Sequence, residues 1–173
     1  RAYGTTCTHQ CCATFPPVSL PLGRTAENMT HVMTSPSPLA SLSESKLQAF
    51  LEPLLLVAYA DGEFAESEKD RLVSRVHELS GETLDKSALE EKVLALQPPS
   101  YRSGEDRGER VKRLRDVLDS EELCRIAFTI AVEVAHVDGG IGVREGSTLA
   151  ATAREFGLSS TEALDLLRTA QLD

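Results

Sequence analysis

The sequence predicts an all-α fold, a compact bundle of about seven helices, and three observations carry that prediction. Aromatic residues are only 5% of the 173 and tryptophan is absent, which disfavours a β-sandwich rich in Tyr, Trp and Thr. Leu, Ala, Val and Glu dominate, the composition of a helical core built from aliphatic side chains. From Leu39 onward, apolar residues recur at helical spacing in segments separated by short breaks at Gly, Pro or Asp-Gly. With 41% hydrophobic and 26% charged residues, the chain suits one globular domain preceded by a tail.

The elements follow in order. Ser41-Leu42-Ser43-Glu44 has the spacing of a capping box, and Leu47, Phe50, Leu51, Leu54, Leu55 and Ala58 then form one apolar stripe ending at Asp61-Gly62. Pro53 lacks the N–H needed by the preceding turn, so it is expected to bend or restart this helix. A second helix spans about Glu66 to Leu79 and stops at Ser80-Gly81. The third covers roughly Asp85 to Leu96, ahead of Pro98-Pro99. The fourth runs from about Asp106 to Leu118, the fifth from Glu121 to Val137, the sixth from Val143 to Phe156 and the seventh from Ser160 to Leu172. In the fifth, Leu123, Ile126, Ala127, Ile130, Val134 and Val137 fall within one arc, which makes it the expected central helix.

Residues 1–38 read differently. They hold Cys7, Cys11, Cys12 and five prolines, carry only Arg1, Arg24 and Glu27 as charges, and show no helical period, so a disordered or over-extended tail is expected before a domain at 39–173. Polar Thr5 to Gln10 and the following prolines argue against a signal peptide. Cys7, His9, Cys11 and Cys12 lack the second spaced ligand pair of a structural zinc site. Cys124 sits alone on an apolar pattern, as a small core residue does. Without a spaced disulfide framework, a cytoplasmic setting is the default expectation.

The net charge of -9, from 18 basic and 27 acidic side chains, argues against nucleic acid as a partner, because phosphate-backbone affinity comes from Lys and Arg. The longest apolar run, Leu54 to Ala60, is far short of the roughly 20 residues that span a bilayer, so no direct membrane insertion is expected. Arg102, Arg107, Arg110, Lys112, Arg113 and Arg115 cluster in sequence. Interleaved Glu105, Asp106, Glu109 and Asp116 make this segment a solvated, mixed-charge helix face.

The informative feature is an internal duplication of helix, Asp-Gly turn and helix. One constant shift, with no gap, lays residues 57–64 (Val-Ala-Tyr-Ala-Asp-Gly-Glu-Phe) over residues 134–141 (Val-Ala-His-Val-Asp-Gly-Gly-Ile). The same shift pairs Glu68 with Glu145, Leu72 with Leu149, Glu78 with Glu155 and Leu79 with Phe156. An Asp at a helix C-terminus faces the negative end of the dipole, at a cost of about 0.3–1 kcal/mol, so something local must compensate. In one reading Asp61 and Asp138 accept N–H groups of their own turns, while Glu68 and Glu145 cap the following helices. In the other, Asp61, Glu68, Asp138 and Glu145 converge on a divalent cation.

Two carboxylates about 5 Å apart repel by about 3 kcal/mol at an effective dielectric near 20, so such a set needs a cation, a proton or a basic partner. No base repeats with the motif, and oxygen-only ligands favour calcium, magnesium or manganese over zinc. These loops are not EF-hands, because Gly62 and Gly139 directly follow the Asp instead of standing at the sixth loop position. A third reading takes Glu133-x-x-His136 as half of a carboxylate-bridged dimetal enzyme. The shift puts Leu56 and Tyr59 where its second half belongs. No Gly-rich phosphate loop or nucleophile elbow is present, and a non-enzymatic protein is expected.

The residues Ala58-Tyr59-Ala60-Asp61-Gly62-Glu63-Phe64 with Glu68, and His136-Val137-Asp138-Gly139-Gly140-Ile141 with Glu145, resemble the TerB-like domain of tellurite-resistance proteins, which also occurs in a DnaJ-like membrane co-chaperone. The resemblance spans about Leu42 to Leu172. It implies a helical bundle, metal binding through the acidic positions, and a role among protein partners in a bacterial stress response. Two departures concern the turns: Gly140 replaces an acidic residue frequent after Asp-Gly, and neither turn has the Ser-Pro helix start common in the family. The alternative that stays open is a metal-free interaction adaptor whose Asp and Glu residues only build turns and caps.

Overall fold

In a computed structural model, residues 37–96 and 107–170 are described and fold as seven α-helices with no strand among them. They are α1 (Glu44–Ala58), α2 (Glu66–Leu79), α3 (Lys86–Ala95), α4 (Arg107–Leu118), α5 (Glu121–His136), α6 (Val143–Glu155) and α7 (Ser160–Thr169). The expected tail with its cysteines, Arg102, the Pro98-Pro99 break and the end of the seventh predicted helix at Leu172 lie outside the described residues.

Helix α1 starts later than the capping-box spacing suggests. Ser43, not Ser41, is the N-cap, its hydroxyl accepting Lys46 N–H at 3.4 Å. The reason lies upstream: Ala40 N–H donates to Ser37 O in a tight turn that buries Leu39 completely, and that turn occupies the backbone an earlier helix start would need. Of the two effects expected of Pro53, a restart does not occur: α1 runs through it as one element. A helix-interior proline costs about 3 kcal/mol, and here the ring is itself buried among Phe50, Leu54 and Leu56, whose burial offsets that cost.

Helices α1 and α5 share the centre. Each is buried on nearly every side, α1 from Leu47 to Ala58 and α5 from Leu123 to Ala135, and they pack on one another. The predicted α5 stripe is buried at Leu123, Ala127, Ile130 and Val134, whereas Ile126 is half-buried and Val137 exposed. Around this pair, α2 leans on α5 with Leu72, Val73 and Val76, α4 lies on α1 and α6 with Val111, Leu114 and Leu118, and α6 contributes Leu149 and Ala153. The outermost helix, α7, has no fully buried residue and packs through half-buried Ala163, Leu166 and Leu167.

Ile130 is wholly inaccessible at the centre of α5. Ile130→Ala is therefore expected to destabilise the fold by about 2–5 kcal/mol in chemical denaturation, through lost burial and a residual cavity. A loss below about 0.5 kcal/mol, typical of surface sites, is the outcome incompatible with this packing.

Candidate functional site

The two Asp-Gly turns are built alike. Gly62 (φ 107°) and Gly139 (φ 102°) take left-handed backbone that a side chain would strain, which turns the chain from α1 toward α2 and from α5 toward α6. Ala65 and Gly142 then stand as N-caps without a capping side chain, so the third helical residue closes each start. Glu68 Oε2 accepts Ala65 N–H at 2.8 Å, and Glu145 Oε2 accepts Gly142 N–H at 2.5 Å.

The aspartates differ from one another. Asp61 Oδ1 accepts Glu63 N–H within its own turn at 3.0 Å, which is the local compensation the capping reading requires. Asp138 Oδ1 instead accepts the Ser67 hydroxyl at the start of α2, at 2.9 Å. In return, Arg144 Nη1 at the start of α6 donates to Asp61 O at 3.4 Å. The shift that aligns the turns also aligns Ser67 with Arg144, so each turn is touched by the second residue of the other unit's helix. This reciprocal pair of contacts brings the two turns to one junction.

Glu68 records the consequence. It is buried at 8% exposure, and its carboxyl pKa is raised, first by desolvation and further by the charges of Glu145, Asp138 and Asp61; the Ala65 hydrogen bond pulls the other way. The other three acids singled out in the sequence thus lie within electrostatic reach of Glu68. Among the described residues, no three His, Cys, Asp or Glu side chains are gathered as a ready-made metal site. The donors are carboxylate oxygens, the chemistry a hard divalent cation takes, and one oxygen of each glutamate is committed to its own helix start.

A second charged feature escaped the sequence reading. Glu133, buried at 6% exposure on α5, is gripped by Arg75 of α2, with Nε donating to Oε2 at 2.5 Å and Nη2 to Oε1 at 3.0 Å. These bonds hold the Arg75 guanidinium pKa above its ordinary value. Arg71 Nε approaches Glu133 Oε2 at 3.7 Å and has no hydrogen-bond partner although it is buried. The available signal was the shift itself, which sets Glu133 at the place of core residue Leu56. An acid at a core position needs a cation, and Arg71 and Arg75 stand one helical turn apart on α2. Within the Glu-x-x-His element, His136 Nδ1 is hydrogen-bonded to Val132 O at 2.9 Å.

Other singled-out residues have structural partners. His77 on α2 is half-buried, with Nδ1 2.7 Å from Leu84 O. Cys124 is buried in the core, and desolvation raises its thiol pKa. Of the arginines near residue 110, Arg107 donates to Thr148 and Arg110 pairs with Glu52, so part of this segment ties α4 to its neighbours. Among the described residues, no helix is long and apolar enough to cross a membrane. No family model, curated protein or solved structure matches the chain.

Two outcomes follow. The Glu68 pKa is raised in the folded state, so the unfolded chain gives up this proton first. Glu68 contributes to stability below its ordinary carboxyl range, and that contribution is lost as pH rises through the folded value. Glu68→Gln keeps an acceptor for Ala65 N–H without the charge. In pH-resolved urea denaturation it should be as stable as wild type or more so near pH 7, with the difference vanishing in acid; a variant less stable at neutral pH would contradict this. Separately, Arg75→Ala removes both hydrogen bonds of the buried Glu133 carboxylate and leaves it only Arg71 at 3.7 Å, so it is expected to cost up to about 3–5 kcal/mol, and Glu133→Leu in the same chain should recover most of that loss. If the double variant is no more stable than Arg75→Ala, Glu133 is not the group that Arg75 compensates.

Proposed function

We propose that this chain is a non-enzymatic, TerB-like helical domain that takes up a hard divalent cation, calcium, magnesium or manganese, at the junction of its two Asp-Gly turns. The carrying observation is geometric: Ser67 reaches Asp138 and Arg144 reaches Asp61 across the junction, beside buried Glu68, whose pKa is raised first by desolvation and further by Glu145, Asp138 and Asp61. Repulsion of Glu68 by the other three acids is a standing cost, and a cation held by Asp61, Glu68, Asp138 and Glu145 would relieve it. Uptake would tie the α1–α2 turn to the α5–α6 turn. A sensing role follows from that coupling, because the ion would change how firmly the two halves are joined. The bacterial stress-response setting, with protein partners, rests on the TerB-like resemblance alone.

Thermal melting with and without added cation tests the reading. An ion at one hundred times its Kd should stabilise the folded state by about 2.7 kcal/mol and raise the Tm. Asp61→Asn retains an acceptor for Glu63 N–H but loses the charge, so it should abolish that rise while leaving the ion-free protein as stable as wild type or more so. Calorimetric titration without heat at millimolar calcium, magnesium and manganese, together with unmoved melting curves, would overturn cation uptake. The acids would then be turn and cap residues of a metal-free interaction adaptor.

A further inference from the structure

The reciprocal contacts at the junction relate α1 and α2 to α5 and α6, and the same relation compares two seats for a helix. The first seat lies on α1 and α6 and is filled by α4, which buries Val111, Leu114 and Leu118. Its Arg107 donates to Thr148 on α6 at 3.1 Å, and its Arg110 pairs with Glu52 on α1. The second seat is the face that α5 and α2 present together. Among the described residues no helix is laid along both in this way. An open cleft of about 1080 Å³ lies there, with Ser67, Arg71 and Ser74 on one wall, Glu133 and Val137 on the other and Ile141 at the turn. The shift sets Arg71 at the place of Thr148, the residue that α4 grips.

Charge and apolar exposure define what fits this cleft. Glu133 is already satisfied at both oxygens by Arg75, so Arg71 is a second cation beside a carboxylate that is already paired. Its side chain is 38% exposed and its buried Nε has no acceptor. Asp70 also lines the cleft, but it is exposed, and adjacent residues on a helix do not face one another. Beside Arg71, Val137 is 37% exposed and Ile141 is half-buried, an apolar footing next to a part-exposed guanidinium whose contact with Glu133 is a loose ion pair of 3.7 Å.

We propose that the α2–α5 cleft docks an amphipathic helix of a partner protein, which rests its apolar side on Val137 and Ile141 and presents an Asp or Glu to Arg71. The proposal does not depend on cation uptake, and neither test decides the other. The probe is a displayed library of amphipathic helical peptides, selected against the full chain. Recovered helices are expected to share an acid one turn from an apolar pair and to shift the methyl resonances of Val137 and Ile141. They should lose roughly tenfold or more in affinity on Arg71→Glu, with binding restored when the peptide acid is exchanged for Lys. Arg154→Glu, outside the cleft, should leave affinity unchanged, and Arg71→Gln replaces Arg71→Glu if the latter does not fold. The proposal is overturned if no helix is recovered or if affinity ignores the charge at Arg71. It is equally overturned if the helices move Leu164 and Leu167 between α6 and α7 instead, or if sedimentation shows self-association that Arg71→Glu abolishes, making a second copy the occupant.

Discussion

Helices α1 and α5 are apolar on almost every side, and neither can be stable in water unless other elements surround it. Their mutual packing sets the positions of everything else described. Because both run to an Asp-Gly turn, burying them together carries the two turns, and the helix starts that follow, into one neighbourhood. The junction of acids is therefore a consequence of core packing, placed there by Phe50, Leu54, Ile130 and Val134 as much as by its own residues.

At that junction, local and collective demands pull in opposite directions. Each helix start needs an acceptor for its N-cap N–H, and neither Ala65 nor Gly142 offers a capping side chain, so a glutamate at the third position satisfies a real local need. Bringing the two starts together then sets those charges near one another and near both aspartates, in a setting where Glu68 is shielded from water. Desolvation is the larger part of the penalty on Glu68, and like charge adds to it. The glutamate caps explain locally why Glu68 and Glu145 are present, and the contacts across the junction explain why Glu68 also feels the other three acids.

The two halves are alike at their turns and unlike around them. The first turn is closed by Tyr59 and Phe64, whose ring centroids lie 5.0 Å apart, whereas the aligned positions of the second are His136 and Ile141. Leu56 faces the core where Glu133 needs Arg75, and α4 covers the α1–α6 face while the α2–α5 face stays open. A buried, hydrogen-bonded ion pair is a weak source of stability, because desolvation opposes its Coulomb attraction. Such a pair lies on the open side, and Glu52 with Arg110 gives a part-buried one to the face beneath α4.

By itself the sequence determined the helices and their ends, because helical periodicity, Asp85, Ser120 and Ser159 as caps and Gly81 as a stop act over a few neighbouring residues. It also singled out the four acids, since a repeat is visible without coordinates. One local signal misled where longer-range packing prevailed: the turn burying Leu39 overrode the Ser41 cap spacing, while α1 continues through Pro53 without a restart. Only the tertiary structure decided which partners distant residues meet. Ser67 with Asp138, Arg144 with Asp61 and Arg75 with Glu133 are separated by many turns of chain, and no local preference encodes them. They exist because aliphatic burial is non-directional and fixes the helices first, leaving polar groups to pair with whatever that packing puts within reach.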